Sequence, residues 1–138
     1  MLDKKTVPLP TFDLVIYYED TDFTGLVYHA NYLKYFERAR EQALGFCLIK
    51  KMYSQGVHCV VRRASMNCFK AATHGCSFFV QSSVAFSQSP RLSFHQSLYS
   101  RDSKMPYVTA EIELAVVNDR SKPIKIPALL LDKLNSII

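Results

Sequence analysis

Alternation of apolar and polar positions in the second half of the chain predicts a series of β-strands. The clearest segment is 107–117, where Thr109, Glu111 and Glu113 are interleaved with apolar residues. Side chains of a strand point alternately to its two faces, so this period marks a strand with one buried face. Turn residues separate four such segments, and the predicted strands are 57–69, 76–87, 91–101 and 107–117.

Before these strands, the pattern predicts one strand followed by one long helix. Residues 12–18 alternate like a strand, whereas residues 31–44 place apolar side chains at the three- and four-residue spacing of a helix. Asn31 is a typical N-cap residue and Gly45 a plausible helix stop. The other segments are predicted to be a loose lead-in, a connector, a loop and a short terminal helix, over 1–10, 50–56, 118–127 and 128–137.

The order of these elements indicates the fold class. One strand, one helix and four strands joined by short connections form an α+β pattern, in which an antiparallel sheet needs a helix to cover its apolar face. We therefore predict a five-stranded antiparallel sheet wrapped around one central helix. The 138 residues are enough for one domain with its own core, and we assign 1–138 to a single domain.

The charge of +5 is unevenly distributed. Residues 1–59 carry seven basic and seven acidic side chains, whereas residues 60–138 carry ten basic and five acidic ones. The excess is either an ordinary solvated surface or an attraction for a phosphorylated small molecule. The basic residues are mostly scattered, without a dense stripe or a known nucleic-acid module, so we do not expect nucleic-acid binding.

The sequence also bears on compartment and metal binding. The first residues lack the apolar stretch of a signal peptide, and no apolar run reaches the roughly 20 residues of a membrane span. The four cysteines form no C-x-x-C pair and are predicted to be reduced thiols in or near the core of a cytoplasmic protein. Cys68, His74 and Cys76 match no common zinc spacing, so we predict no metal site.

The connection between the first strand and the helix is the main candidate for chemistry. Residues 19–29 contain Asp20, Asp22, a glycine and His29, immediately before the predicted helix start. A carboxylate facing a helix N-terminus suits acyl chemistry, because the acid attacks or activates water while backbone N–H groups hold a developing oxyanion. Asp22 is otherwise a turn residue that binds its own backbone. Asp20 is expected to make turn or cap hydrogen bonds.

Three segments of the chain, YEDTD at 18–22, GLVYHANYL at 25–33 and FERAR at 36–40, resemble a known signature. They are similar to hotdog-fold acyl-CoA thioesterases, most of all to the YbgC-like branch of the 4-hydroxybenzoyl-CoA thioesterase family. The resemblance extends over the whole chain in element order. It implies a hotdog fold, hydrolysis of acyl-CoA or acyl carrier protein thioesters, and no cofactor. It also implies a homodimer joined edge to edge, or a homotetramer, with active sites at the subunit interface.

The resemblance assigns roles to residues of the signature. The catalytic residues it implies are Asp22, His29 and Tyr18, and the substrate-binding residues it implies are Gly25, Val27, Tyr28 and Asn31. The chain departs from the family pattern at 71–75, where relatives carry a proline and an acidic turn. That departure concerns the local turn and the acyl specificity.

Several alternatives stay open from the residues alone. Asp22 is either a nucleophile that forms a mixed anhydride or a general base acting on water. His29 either contacts substrate or orients the loop, and backbone N–H groups around Tyr28 and His29 are candidate oxyanion donors. Glu37 and Arg40, three apart on the helix, are expected to form a structural ion pair. The alternative functions are a non-catalytic acyl-thioester-binding protein and a hydroxyacyl-thioester dehydratase.

Overall fold

The computed structural model describes residues 4–137, which form an antiparallel sheet of six strands and three helices. The strands are β1 (Lys5–Pro8), β2 (Phe12–Val15), β3 (His58–Cys68), β4 (Ser77–Phe86), β5 (Arg91–Ser100) and β6 (Val108–Val117). The helices are α1 (His29–Leu44), α2 (Phe46–Ser54) and α3 (Ala128–Ser136). In the described chain, no helix is long and apolar enough to cross a membrane.

The sheet has five strand positions, and the first is shared by two short strands. The order is β1-β4-β5-β6-β3, and β2 also pairs with β4. Lys5 lies opposite Phe86, whereas Phe12 lies opposite Val80, so β1 and β2 follow one another along the same neighbour. Pro8 and Pro10 explain the break, because proline has no N–H to donate to a sheet ladder.

This arrangement confirms the α+β hotdog prediction and corrects three details of the first part of the chain. The sheet was expected to have five strands, and the split first position makes six. The lead-in was expected to be loose, but Lys5–Pro8 forms β1, and residues 1–3 lie outside the described chain. The predicted strand 12–18 ends earlier, at Val15, because residues Tyr18–Asp20 form a 3-10 turn.

The core lies between α1 and one face of the sheet. On β4, alternate side chains are buried, among them Phe78, Val80 and Val84. Tyr35 and Phe36 of α1 are also almost fully buried. Burial of a large apolar side chain stabilises a fold by about 1.5 to 3 kcal/mol, so this interface fixes the position of α1 over the sheet.

A polar network crosses the core beneath α1 and replaces the predicted ion pair. Arg40 is only 6% exposed and donates to Gln96 Oε1 at 2.9 Å. Gln96 in turn donates to the carbonyl of Phe36 and to the hydroxyl of Ser82, both at 3.0 Å. No Arg40–Glu37 ion pair occurs among residues 4–137: Arg40 is buried and bound to β5, while Glu37 is exposed.

The later element boundaries agree closely with the sequence pattern, but one helix was missed. The four predicted strands and the terminal helix are confirmed within one residue at each end. The segment 50–56 was expected to be a connector, whereas α2 runs from Phe46 to Ser54. Gly45, with φ of +92°, ends α1 and precedes α2 directly, so a bend without a loop joins the two helices.

The cysteines are free thiols, but most of them are not core residues. Cys47, Cys68 and Cys76 are exposed, and only Cys59 is largely covered. Burial raises the pKa of Cys59 to about 11, so this thiol is neutral at physiological pH. Across residues 4–137, no three His, Cys, Asp or Glu side chains group as they would around a metal ion.

Candidate active site

Asp22 lies in a tight turn between the 3-10 turn and α1. Its N–H donates to the Leu26 carbonyl at 2.9 Å, and the Gly25 N–H donates to the Asp22 carbonyl at 3.0 Å. Gly25 has φ of +79°, a left-handed conformation that side chains disfavour. A Cβ at Gly25 would meet no atom within 4 Å, so the backbone conformation and not a close approach explains the glycine.

One oxygen of the Asp22 carboxylate is held by the turn and the other is left open. Oδ1 accepts hydrogen bonds from the Thr24 N–H at 2.8 Å and from the Thr24 hydroxyl at 2.5 Å. Oδ2 has no hydrogen-bond partner among the described residues, and the side chain is exposed. The Thr24 hydroxyl, followed by its N–H, lowers the pKa of Asp22, so the group is a carboxylate at neutral pH.

The start of α1 offers backbone donors, although not all of those expected. The Tyr28 N–H is already bound to the Asp20 carbonyl at 3.0 Å, which removes it as an oxyanion donor. Asn31 was expected to cap the helix, but α1 begins two residues earlier and the Asn31 side chain donates to the same carbonyl at 2.8 Å. Within the described chain, the N–H groups of His29 and Ala30 have no acceptor, as is usual for a helix start.

The two predicted aromatic partners of Asp22 differ in position. His29 is the first residue of α1 and is exposed, and its charge is one of the smaller factors that lower the pKa of Asp22. Tyr18 is 80% exposed, and its ring lies edge-on to His74 at 6.1 Å. The Tyr18 hydroxyl makes no hydrogen bond to any described residue, and the hydrogen bonds of the Asp22 carboxylate go to Thr24 and not to His29 or Tyr18.

The connection between β3 and β4 supports the loop from beneath. Val27 donates its N–H to the Ala72 carbonyl at 3.0 Å, and Ala72 donates its own N–H to the Tyr32 hydroxyl at 3.1 Å. Leu26 forms an isolated bridge with Thr73. The Val27 side chain is buried in the core, so its predicted contact with substrate is limited to the backbone. The segment 71–75, where the chain departs from the family pattern, therefore supports the loop that contains Asp22 through these contacts.

The remaining acids serve the loop backbone. Asp20 Oδ2 accepts the Tyr17 N–H at 2.8 Å, which confirms its expected turn role. Sequence reasoning did not identify Thr24, although an acid followed two residues later by threonine is a recognisable turn pattern. It also did not identify the support from Ala72, which is far from Asp22 along the chain, or the hydrogen bond between Ala72 and the Tyr32 hydroxyl.

In a single chain, the candidate site is open to solvent. Among four clefts on the surface of the described residues, none is lined by Asp22, Gly25 or His29. Phe23, next to Asp22, is fully exposed. The turn and the helix start thus present an ionised carboxylate and two backbone N–H donors, an arrangement suited to attack on a carbonyl. No described side chains enclose this arrangement in a way that would hold an acyl group in a single chain.

Comparison with known proteins identifies a consistent set of relatives. The family model of the thioesterase-like superfamily matches residues 17–134. The acyl-CoA thioesterase YbgC of Helicobacter pylori is 33% identical over 130 residues, covering 88% of this chain and 97% of the relative. YbgC of Haemophilus influenzae is 29% identical over 85% of this chain and 88% of the relative. A probable thioesterase from Bartonella henselae has a TM-score of 0.77 at 30% identity, covering 86% and 99%.

More distant structures share the fold. The 1,4-dihydroxy-2-naphthoyl-CoA thioesterase of Synechocystis superimposes with a TM-score of 0.83 at 18% identity, over 96% of this chain and 98% of that one. At such identity the comparison supports only the architecture, which agrees with the sheet and central helix described above.

Proposed function

Because this chain belongs to the thioesterase-like superfamily, we propose that it is an acyl-CoA thioesterase, which hydrolyses acyl-CoA to a free acid and CoA. The name of the Helicobacter pylori relative supports this activity. The observation that carries the proposal is the Asp22 carboxylate, with one free oxygen, in the loop leading to the unpaired N–H groups of His29 and Ala30. This combination provides a nucleophile or base together with an oxyanion holder.

In the proposed reaction, the thioester oxygen accepts hydrogen bonds from the His29 and Ala30 N–H groups. Asp22 Oδ2 then attacks the thioester carbon, the C–S bond breaks, and CoA leaves as a thiolate that takes a proton from solvent. Water hydrolyses the resulting mixed anhydride and regenerates the carboxylate. In the alternative route, Asp22 accepts a proton from the water that attacks the thioester directly.

The lowered pKa of Asp22 favours the first route. A strong general base has a pKa near the working pH, whereas Asp22 is held below the ordinary carboxyl range by its hydrogen bonds from Thr24. A carboxylate with low proton affinity still attacks an electrophilic thioester when it is correctly oriented. We assign His29 to positioning and electrostatic support of the loop, and we give Tyr18 no contact with the reacting atoms.

We further propose a homodimer and a cytoplasmic location. An unpaired edge strand, β3, supports the dimer, and four free thiols suit a reducing compartment. CoA is the proposed thiol carrier because the relatives of known name act on acyl-CoA. Thioesters of acyl carrier protein are the comparison substrate.

Release of free thiol from a panel of short, long and aromatic acyl-CoAs tests the proposal, with Asp22→Asn as the variant. We expect hydrolysis by the wild type and a loss of at least about 100-fold in the variant, since Asn neither attacks nor accepts a proton. Asp20→Asn is the matched control, and it keeps most activity. Absence of hydrolysis by the wild type on CoA and acyl carrier protein esters would favour the non-catalytic binding function.

The pH dependence of kcat/KM tests the role of Thr24. Asp22 must be ionised, so activity is lost as the pH falls through its pKa. Thr24→Val removes the hydroxyl that is the main cause of the lowered pKa, and we expect the acid limb to move to higher pH. Thr21→Val is the control, because the Thr21 hydroxyl binds the Tyr18 carbonyl instead. An unchanged acid limb in Thr24→Val would show that this limb does not report Asp22.

A further inference from the structure

A polar cleft of about 450 Å³ lies beside the 3-10 turn, between β2 and α1. We call it the β2–α1 cleft. Neither Asp22 nor His29 lines it, so it is separate from the candidate active site. Clefts in which several polar groups converge are candidate small-molecule sites. The charged residues that line this one are Asp13, Glu19, Asp20, Arg38 and Arg101.

A buried hydroxyl group at this cleft has no hydrogen-bond partner. Tyr35 lines the cleft and is only 1% exposed. Among the fully buried side-chain nitrogen and oxygen atoms of residues 4–137, the Tyr35 hydroxyl alone makes no hydrogen bond. Buried polar groups are nearly always hydrogen-bonded, so an unpaired one beside a cleft points to a polar ligand. Burial, and then the nearby Asp20 carboxylate, raises the pKa of Tyr35, so the hydroxyl keeps its proton.

The charged groups of the β2–α1 cleft are not balanced within the chain. Asp13 and Arg101 form an ion pair at 2.6 Å, which leaves Glu19, Asp20 and Arg38. Within residues 4–137, none of these three side chains forms an ion pair. The unpaired charges of the cleft are therefore two carboxylates and one guanidinium.

Two of these unpaired groups lie close to the Tyr35 hydroxyl. The Asp20 carboxylate raises the pKa of Tyr35, and the charge of Arg38, whose guanidinium is 5.8 Å from the centre of the Tyr35 ring, acts in the opposite direction. In the described chain, only one Asp20 oxygen is used, by the Tyr17 N–H at 2.8 Å, so the other is free to accept a hydrogen bond. An acceptor for a cation and a donor for an anion thus meet at this hydroxyl.

We propose that the β2–α1 cleft binds a small amino acid of net positive charge, with one carboxylate and two ammonium groups. These charges complement the two carboxylates and the guanidinium that the chain leaves unpaired. Arg38 binds the ligand carboxylate, and Asp20 together with the Tyr35 hydroxyl binds one ammonium group. Glu19 binds the second ammonium group, and Val15 at the wall of the cleft contacts the methylene groups between the two ends.

Simpler ligands leave part of the cleft unmatched. An anion without an ammonium group would lie beside the carboxylates of Glu19 and Asp20, which repel it. A diamine would place no negative group against Arg38. Both comparisons can be made with compounds that differ from lysine by a single group.

Isothermal titration calorimetry of the purified protein at neutral pH tests the proposal, with L-lysine and L-ornithine as probes. L-norleucine lacks the second ammonium group of lysine, and cadaverine lacks the carboxylate. We expect a probe to bind and both analogues to bind at least about tenfold more weakly, since each leaves a charge of the cleft unpaired. Absence of binding by both probes at millimolar concentration, or equal binding of either analogue, would overturn the proposal. The result does not depend on thioester hydrolysis, so it is independent of the proposed function.

Tyr35→Phe separates ligand binding from stability, because it removes the hydroxyl and keeps the ring in the core. Loss of an unpaired buried hydroxyl does not destabilise a fold, so we expect an unchanged or higher Tm together with at least about tenfold weaker binding of lysine. Tyr32→Phe is the matched control. Its hydroxyl accepts the Ala72 N–H, so this variant should lower the Tm and leave the affinity unchanged. Wild-type affinity in Tyr35→Phe would contradict the assigned site.

Two charge variants test which end of the ligand each residue binds. Arg38→Gln should reduce the affinity for L-lysine to that for cadaverine, and Glu19→Gln should reduce it to that for L-norleucine. Lys34→Gln and Glu41→Gln, exposed on α1 and outside the cleft, are the controls and should change neither affinity ratio. Equal losses for lysine and both analogues in the two charge variants would show that Arg38 and Glu19 do not bind opposite ends of the ligand, and the proposal would fail.

Discussion

The two edges of the sheet are built in opposite ways. At one edge, β1 and β2 have four residues each and are separated by a stretch that includes Pro10. At the other edge, β3 runs for eleven residues, and its Val60 and Val61 side chains are 44% and 53% exposed. Natural proteins commonly protect edges from pairing with short strands and prolines, so one edge is blocked and the other is free to accept a strand.

This difference bears on function because the free edge continues into the candidate site. The chain after β3 supports the Asp22 turn through the Ala72 carbonyl and the bridge between Leu26 and Thr73. In the proposed homodimer, two β3 strands would pair and extend the sheet across the two copies.

The largest expected effect comes from a charge on the free edge. Val61→Lys places an ammonium where a second strand would pack, and we expect the dimer to dissociate and thioester hydrolysis to fall about 100-fold or more. Val15→Lys on β2, also at an exposed valine, is the matched control and should change neither property. Sedimentation and free-thiol release measure the two effects. If Val61→Lys and Val15→Lys had the same effect on dimer dissociation and on hydrolysis, the proposal that only the β3 edge forms the dimer would be wrong.

A smaller effect is expected when the protected edge is opened. Pro10→Thr restores a backbone N–H between β1 and β2 and allows one longer edge strand. We expect the apparent mass to rise with protein concentration in light scattering, while the initial rate of hydrolysis stays near that of the wild type. Pro106→Thr, which precedes the interior strand β6, is the control. A mass that is independent of concentration would show that proline is not what protects this edge.

The smallest effects should come from ion pairs near the edges. Asp13 of β2 contacts Arg101 at 2.6 Å, but both side chains are largely exposed, so Asp13→Asn should change the free energy of unfolding by about 0.5 kcal/mol or less. Urea denaturation at neutral pH measures this. The comparison variant, next to β3, is Glu113→Gln. The wild-type Glu113 carboxylate contacts three arginines, Arg62, Arg63 and Arg91. Glu113→Gln should be more destabilising than Asp13→Asn.

The Glu113 effect should also depend on pH in a defined direction. The hydrogen bond from Arg62, and then the charges of Arg91, Arg62 and Arg63, lower the pKa of Glu113 against the desolvation that raises it. A carboxyl whose folded pKa is depressed contributes stability at neutral pH and loses it as the pH falls through that pKa. The difference in urea midpoint between wild type and Glu113→Gln should therefore shrink in acid. A constant difference across this range would argue against the charge contribution.

The pattern of the sequence predicted the four long strands and the terminal helix well, but it missed β1 and α2. In the strand Val108–Val117, apolar and polar residues alternate from Val108 to Leu114, and the apolar positions of this stretch are the buried ones. In contrast, β1 has four residues, of which only Val7 is buried, and a strand this short shows no visible period. The helix α2 has nine residues and begins directly after Gly45, which the sequence indicated only as the end of α1.

The site shows the same division between local and distant contacts. The motif around Asp22 and the helix start predicted near Asn31 indicated the proposed acid and the region of the proposed oxyanion donors, and these residues are close in sequence. The use of the Tyr28 N–H by Asp20 was missed, as was the support from Ala72. Both depend on how the loop folds back on itself and on the connection between β3 and β4, which is far from the loop along the chain.

The sequence by itself determined the strand and helix periods, the family and the acid of the proposed reaction, because those properties depend on residue types at short spacing. Only the tertiary structure decided which backbone donors at the start of α1 stay free, that Arg40 binds Gln96 and not Glu37, and which sheet edge is left unpaired. The physical reason is that a hydrogen-bonding group or a strand edge stays unpaired only when no other part of the fold pairs with it. That outcome depends on pairings between residues far apart in the chain.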